Sequence, residues 1–162
     1  MCIRDSYCTP LLVNLPARKL IVTHTADHII GVDAKNGQLL WDYPHKNQWS
    51  VHPNTPLFYN GDLFCFSGYG KGGVKLDLSN DGSSVTKQWE KPELDSRMGG
   101  MVVVDGYMYG SGDKGREWRC VNWETGEEKY ASKDIAKGVT IYADGMLYCY
   151  SERGELALVK AT

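Results

Sequence analysis

The sequence predicts an all-β fold: a partial β-propeller of four-stranded antiparallel blades, about four of them, the last incomplete. Two observations carry this. One is an internal repeat: Asn60-Gly61-Asp62-Leu63-Phe64-Cys65-Phe66 aligns with Asp105-Gly106-Tyr107-Met108-Tyr109 and with Asp144-Gly145-Met146-Leu147-Tyr148-Cys149-Tyr150. An earlier copy, Lys19-Leu20-Ile21-Val22, lacks the turn, and the matching positions Leu20, Leu63, Met108 and Leu147 stand 43, 45 and 39 residues apart, a propeller-like period. The other is composition: Val, Ile, Tyr, Phe and Trp dominate short segments bounded by Asn-Gly, Asp-Gly and Thr-Gly, and no stretch keeps a helical period.

Each copy has its parts in the same order. A short apolar strand leads: Thr9-Pro10-Leu11-Leu12-Val13-Asn14, its near copy Thr55-Pro56-Leu57-Phe58-Tyr59-Asn60, then Met101–Asp105 and Thr140–Asp144. The second strand follows the Asn/Asp-Gly turn, whose residues tolerate the positive φ that tight hairpins require. A third strand comes next, as in Ile29-Ile30-Gly31-Val32-Asp33 or Glu155-Leu156-Ala157-Leu158-Val159. A second turn leads to a fourth strand carrying Trp41, Trp89 or Tyr130, aromatic residues suited to packing between blades. The blades are thus expected at about residues 9–50, 55–92, 99–133 and 138–162, the last without its fourth strand.

The 162 residues are 42% hydrophobic and 23% charged, and 18 Lys and Arg against 20 Asp and Glu give a net charge of −2. That balance offers no global attraction to nucleic acid or anionic membrane. The longest apolar runs, such as Met101–Val104, fall far short of the roughly 20 residues that span a bilayer. Residues 1–6, Met-Cys-Ile-Arg-Asp-Ser, resemble a translated transposon-end sequencing adapter and are expected to be non-native, with the propeller occupying 7–162. On that reading the true N-terminus is missing and location cannot be read from Met1.

Local patterns that suggest chemistry mostly have plainer explanations. His24 and His28 stand four apart but bracket a strand turn, so their side chains need not converge. Asp77, Asp81 and Gly82 lack the series of a calcium loop. Gly68-Tyr69-Gly70-Lys71-Gly72-Gly73 precedes an alternating strand instead of a helix, so it reads as a hairpin turn and not a phosphate cradle. The five cysteines are expected to be free thiols, buried apart from Cys2 in the suspected adapter, because Cys65 and Cys149 occupy equivalent places in different blades. No metal ligand and no catalytic residue is assigned.

Topology gives the one candidate surface. Turns between second and third strands open on the same face as the connections between blades, which gathers Lys71, Lys114, Arg116 and Arg153 with His45, His52, Asn54, Asp95 and Arg97. The candidate ligand-binding residues are His52, Asn54, Arg97, Lys71, Lys114 and Arg116, set against the alternative of a merely solvated rim.

Ile30-Gly31-Val32-Asp33-Ala34-Lys35-Asn36-Gly37-Gln38-Leu39-Leu40-Trp41 resembles the pyrroloquinoline-quinone-like (PQQ-like) β-propeller repeat, whose blades end in Asp-Ala-x-Thr-Gly-x-x-x-Trp. Asn122–Tyr130 keeps the spacing with Tyr for Trp, whereas the segment from Asp77 to Trp89 has a longer loop. The resemblance covers residues 8–162 and implies a fragment of a propeller of about seven or eight blades. The implied setting is periplasmic or secreted, and the implied role is a rigid scaffold for a ligand or protein partner. The family also contains quinone-dependent alcohol dehydrogenases, which would need PQQ and calcium, and outer-membrane assembly lipoproteins of the BamB type. The absence of an adjacent cysteine pair lowers the enzyme alternative. Exposed apolar loops or a vacant strand edge would favour the assembly role, and the sequence makes neither evident.

Overall fold

The computed structural model describes residues 7–97 and 99–161, so the suspected adapter, residues 1–6, lies outside the described residues. Four antiparallel sheets follow one another along the chain, each built from consecutive strands. The first holds β1 (Leu11–Asn14), β2 (Lys19–His24), β3 (His28–Asp33) and β4 (Leu39–Pro44). The second holds β5 (Leu57–Tyr59), β6 (Asp62–Ser67), β7 (Gly72–Leu78) and β8 (Val85–Lys91). The third holds β9 (Val102–Val104), β10 (Tyr107–Ser111), β11 (Trp118–Asn122) and β12 (Glu128–Ser132). The fourth has three strands, β13 (Gly138–Ala143), β14 (Met146–Ser151) and β15 (Leu156–Lys160). The propeller-type all-β fold expected from the repeat is the fold observed. Among the described residues no helix is long and apolar enough to cross a membrane.

The hairpins explain the repeat's most legible signal. Asn60-Gly61, Asp105-Gly106 and Asp144-Gly145 all have positive φ at both positions, 50° and 88°, 49° and 79°, 50° and 77°. Two such residues in succession make the type I′ turn, whose twist matches that of the flanking strands.

A second recurring device was not visible in the sequence. Between third and fourth strands the register slips once in each complete blade, between Gly31 and Val32, Lys75 and Leu76, and Cys120 and Val121. The extra residue is Leu40, Gln88 or Lys129. Each bulge sets the fourth-strand aromatic, Trp41, Trp89 or Tyr130, directly opposite the third-strand residue at the slip. Gly31 is required there, because a Cβ at that position would lie 2.1 Å from the Trp41 ring.

The core sits between sheets, not within one. Leu63 and Cys65 of β6 face the first blade with Leu20, Val22, Ile29 and Trp41, while Phe64 and Phe66 face the third with Met101, Met108 and Trp123. Every residue of β6 is buried for this reason. Full burial of each such side chain contributes about 1.5–3 kcal/mol. Tryptophan indoles tie the seams: Trp41 Nε1–H donates to Gly82 O at 3.2 Å in the second blade, and Trp89 Nε1–H lies 3.2 Å from both Trp123 O and Glu124 O in the third. The last sheet is different. Ile141, Tyr150, Leu156 and Leu158 are all more than half exposed, and β15 is an edge strand. The three strands of this sheet agree with the expectation of a last blade without its fourth strand.

Candidate functional site

The turns between second and third strands meet the inter-blade connections on one face, as the topology requires. In the first blade the connection folds back on its own turn, with His45 N–H donating to Asp27 O at 2.9 Å. In the fourth, Glu152 N–H donates to Lys137 O at 2.9 Å. Between the second and third blades a side chain does the work. Asp95 is fully buried, and its carboxylate accepts N–H bonds from Gly70 at 3.0 Å, Asp113 at 2.7 Å and Lys114 at 3.2 Å. One carboxylate therefore fixes the β6–β7 and β10–β11 turns to each other and to the connection.

The basic residues named from the sequence lie on this face without converging at one point. Lys71 is half-buried, close enough to the His45 and His52 rings to disfavour their protonation. Arg97 pairs with Asp113 at 3.5 Å and its guanidinium stands 5.6 Å above the Tyr69 ring. Lys114 is exposed and lines a hollow of about 310 Å³ with Gly70, Pro92, Glu93 and Arg119. Arg116 and Arg153, both exposed, line another of about 210 Å³ with Lys133, Lys137, Glu152 and Glu155.

Two of the named residues are not on the rim at all. Asn54 is buried, and its Nδ2 donates to Ser96 O at 2.6 Å and Phe66 O at 3.3 Å, closing backbone acceptors that the connection would otherwise leave without a donor. His52 is buried as well, its Nε2 3.1 Å from Ala26 O.

His52 belongs to a group that sequence reasoning missed. His24 at the end of β2, His45 just after β4 and His52 in the connection are all buried, with ring centroids 5.1 to 5.6 Å apart and the His24 and His52 rings stacked within 5° of parallel. A nitrogen from each lies within 4.8 Å of the others. Burial is the main cause holding all three imidazoles below the usual value. His45 and His52 add to it at His24; at His45 burial, with Lys71 and His52 adding to it, brings the value down to about 3. At His52 the Ala26 carbonyl and Asp27 partly oppose the shift. His28 stands apart, half-exposed, its Nε2 3.6 Å from Asp42. The local spacing of His24 and His28 was thus the wrong pair; the useful signal was the topology, which puts residues 45–56 beside the end of β2.

Cys65, Cys120 and Cys149 are buried thiols outside any disulfide, and burial pushes the Cys65 thiol well up, whereas Cys8, expected to be buried, is only partly so and has its Sγ 3.1 Å from Thr23 Oγ1. Between the third and fourth blades a mostly apolar hollow of about 510 Å³ is lined by Tyr109, Trp118, Tyr130, Leu147, Cys149 and Val159 among others.

Comparison with known proteins adds the following. The family model described as "Outer membrane protein assembly factor BamB", a PQQ-like repeat model, matches residues 8–131. No curated protein sequence matches. Among solved structures the chain is similar to BamB from Moraxella catarrhalis, with 17% identity and a TM-score of 0.64 over 97% of this chain and 51% of that one. It is also similar to the computationally designed Ika4 protein, at 13% identity and a TM-score of 0.66 over 99% and 96% of the two chains. The Cps50 (Swd1) β-propeller domain of Myceliophteria thermophila gives 11% and 0.66 over 96% and 52%. The chain spans about half the length of the BamB it matches, and at these identities the likeness is one of fold.

Proposed function

The chain belongs to the PQQ-like repeat family of the BamB type, and from that premise we propose that it is a rigid binding scaffold whose turn-and-connection face takes an acidic ligand or protein segment. The observation that carries the reading is the Asp95 clamp. Hydrogen bonds from N–H groups to a carboxylate are stronger than neutral ones. They hold the turns bearing Lys71 and Lys114 in place before any partner arrives, so little ordering cost falls on binding. Exposed Lys114 and Arg116 then supply attraction and steering. The reading includes a periplasmic or secreted location, which the family description supports.

Titration of the protein with an acidic oligopeptide is the test. Binding should weaken with added salt and fall by about tenfold in Lys114→Glu/Arg116→Glu, a loss of about 1.4 kcal/mol. Lys35→Glu, in the turn at the far end of the first blade, should leave it unchanged. Salt-independent binding, or equal binding by all three proteins, overturns the reading.

An outer-membrane protein assembly role is a second reading. The description of the matching family model favours it, and preference for an apolar over an acidic peptide would select it. A quinone with calcium does not fit the described residues. On this face Asp95 is saturated by backbone donors, Asp113 is engaged by Arg97 and Lys137, and no two of the cysteines at 8, 65, 120 and 149 are adjacent. Asp95 and Asp113 are therefore not available to the quinone-dependent alcohol dehydrogenase alternative.

A further inference from the structure

We propose that His24, His45 and His52 form a binding site for one divalent transition-metal ion of the zinc class, stapling the first blade to the connection that follows it. The three ligands come from three places in the chain, the end of β2, the residue after β4 and the connection, and their nitrogens lie within 4.8 Å of one another. Tetrahedral coordination at about 2.0–2.1 Å places ligand nitrogens about 3.3 Å apart. Binding therefore requires the rings to rotate, the stacked His24 and His52 above all, and this reorientation is part of the proposal. An all-imidazole donor set suits zinc, cobalt, nickel or copper and not calcium or magnesium, which take oxygen ligands.

His52 supplies the second, independent observation. Its Nε2 faces the Ala26 carbonyl at 3.1 Å, so Nε2 carries the proton and donates it, leaving a lone pair on Nδ1. That Nδ1 is buried and has no hydrogen-bond partner. A metal-bound histidine characteristically donates its other N–H to a carbonyl or carboxylate in this way, which fixes its tautomer and orientation. Three protein ligands leave a fourth position for water, and Ser67 Oγ, 3.4 Å from His45 Nε2, and the Asn47 amide, 3.5 Å from Ser67 Oγ, provide polar neighbours for it. Among the charged groups that act on the imidazoles, Lys71 opposes an ion's charge and Asp27 balances it.

The test is titration of the untagged, metal-stripped protein with Co²⁺, followed by its visible absorption, and competition with Zn²⁺. One equivalent should bind with a tetrahedral-type spectrum. His45→Gln and His52→Gln should each weaken binding by about tenfold or more, and His28→Gln should change nothing. Should either cluster variant fail to fold, ¹⁵N spectra of the unvaried protein decide: zinc should shift ring nitrogens of His24, His45 and His52 and spare His28. No stoichiometric binding, binding that survives His52→Gln, or shifts centred on His28 would make the trio a packed cluster only and overturn the proposal.

Discussion

At the junction of the first and second blades three imidazoles lie buried together, all pushed toward the neutral form. At the next junction charged side chains take that place: Asp95 on three N–H groups at the same face and, toward the opposite end of the strands, Lys75. The Lys75 ammonium is completely buried, 2.8 Å from Asp62, 3.1 Å from Glu124 and 5.3 Å from the centre of the Trp123 ring. The repeat dictates where turns and connections must find polar partners, but not which chemistry supplies them. A charged solution fixes geometry tightly and is costly to break. A neutral one is tolerant, and it leaves a nitrogen lone pair free for something else.

That contrast can be broken most forcefully at Lys75. Lys75→Met strands Asp62 in a nearly buried site, and removal of one partner of a buried pair costs about 3–5 kcal/mol. Lys75→Met/Asp62→Leu should recover most of this in chemical denaturation, since both charges are then gone. Next comes a matched pair of apolar substitutions. Asp95→Leu orphans three backbone donors and should cost about 2–4 kcal/mol, whereas His52→Leu, in metal-free protein, removes a single bond and should cost about 1 kcal/mol or less. Equal losses in the two variants would erase the distinction drawn between the junctions.

The smallest effect lies at the exposed margin of the first junction, in the turn at Asp81. Hydrogen bonds from the Ser83 hydroxyl and N–H, and from the Ser79 hydroxyl, lower its carboxyl from 3.8 to about 2. Because the folded value is depressed, its contribution is fully present above about pH 4 and is lost as pH falls through about 2. A carboxyl NMR titration should show that midpoint, and Ser83→Ala should move it up toward 3.8. An ordinary midpoint in the unvaried protein would show that a turn with no burial cannot hold charge as the Asp95 seam does.

The hairpins were legible in the sequence because Asn-Gly and Asp-Gly impose positive φ locally, whatever surrounds them. The bulges were not, because Leu40, Gln88 and Lys129 are ordinary strand residues whose extra length shows only against a partner strand. Lys75 read as one more polar residue in an alternating strand. Its burial depends on Asp62 in the neighbouring strand and Glu124, 49 residues away. Asn54 and His52 read as rim residues for the same reason: the carbonyls that draw them inward, Phe66, Ser96 and Ala26, belong to segments that sequence spacing does not bring near.

The indole bonds across the seams all point forward, from Trp41 into the second blade and from Trp89 into the third. Each sheet is thereby coupled to its immediate neighbours and to little else, the arrangement of a one-dimensional lattice in which stability is a sum of unit and interface contributions. A defect at one seam then stays local. Opening should spread from the outer sheets inward, and amide protons of β6, covered on both sides, should be the last to exchange with solvent.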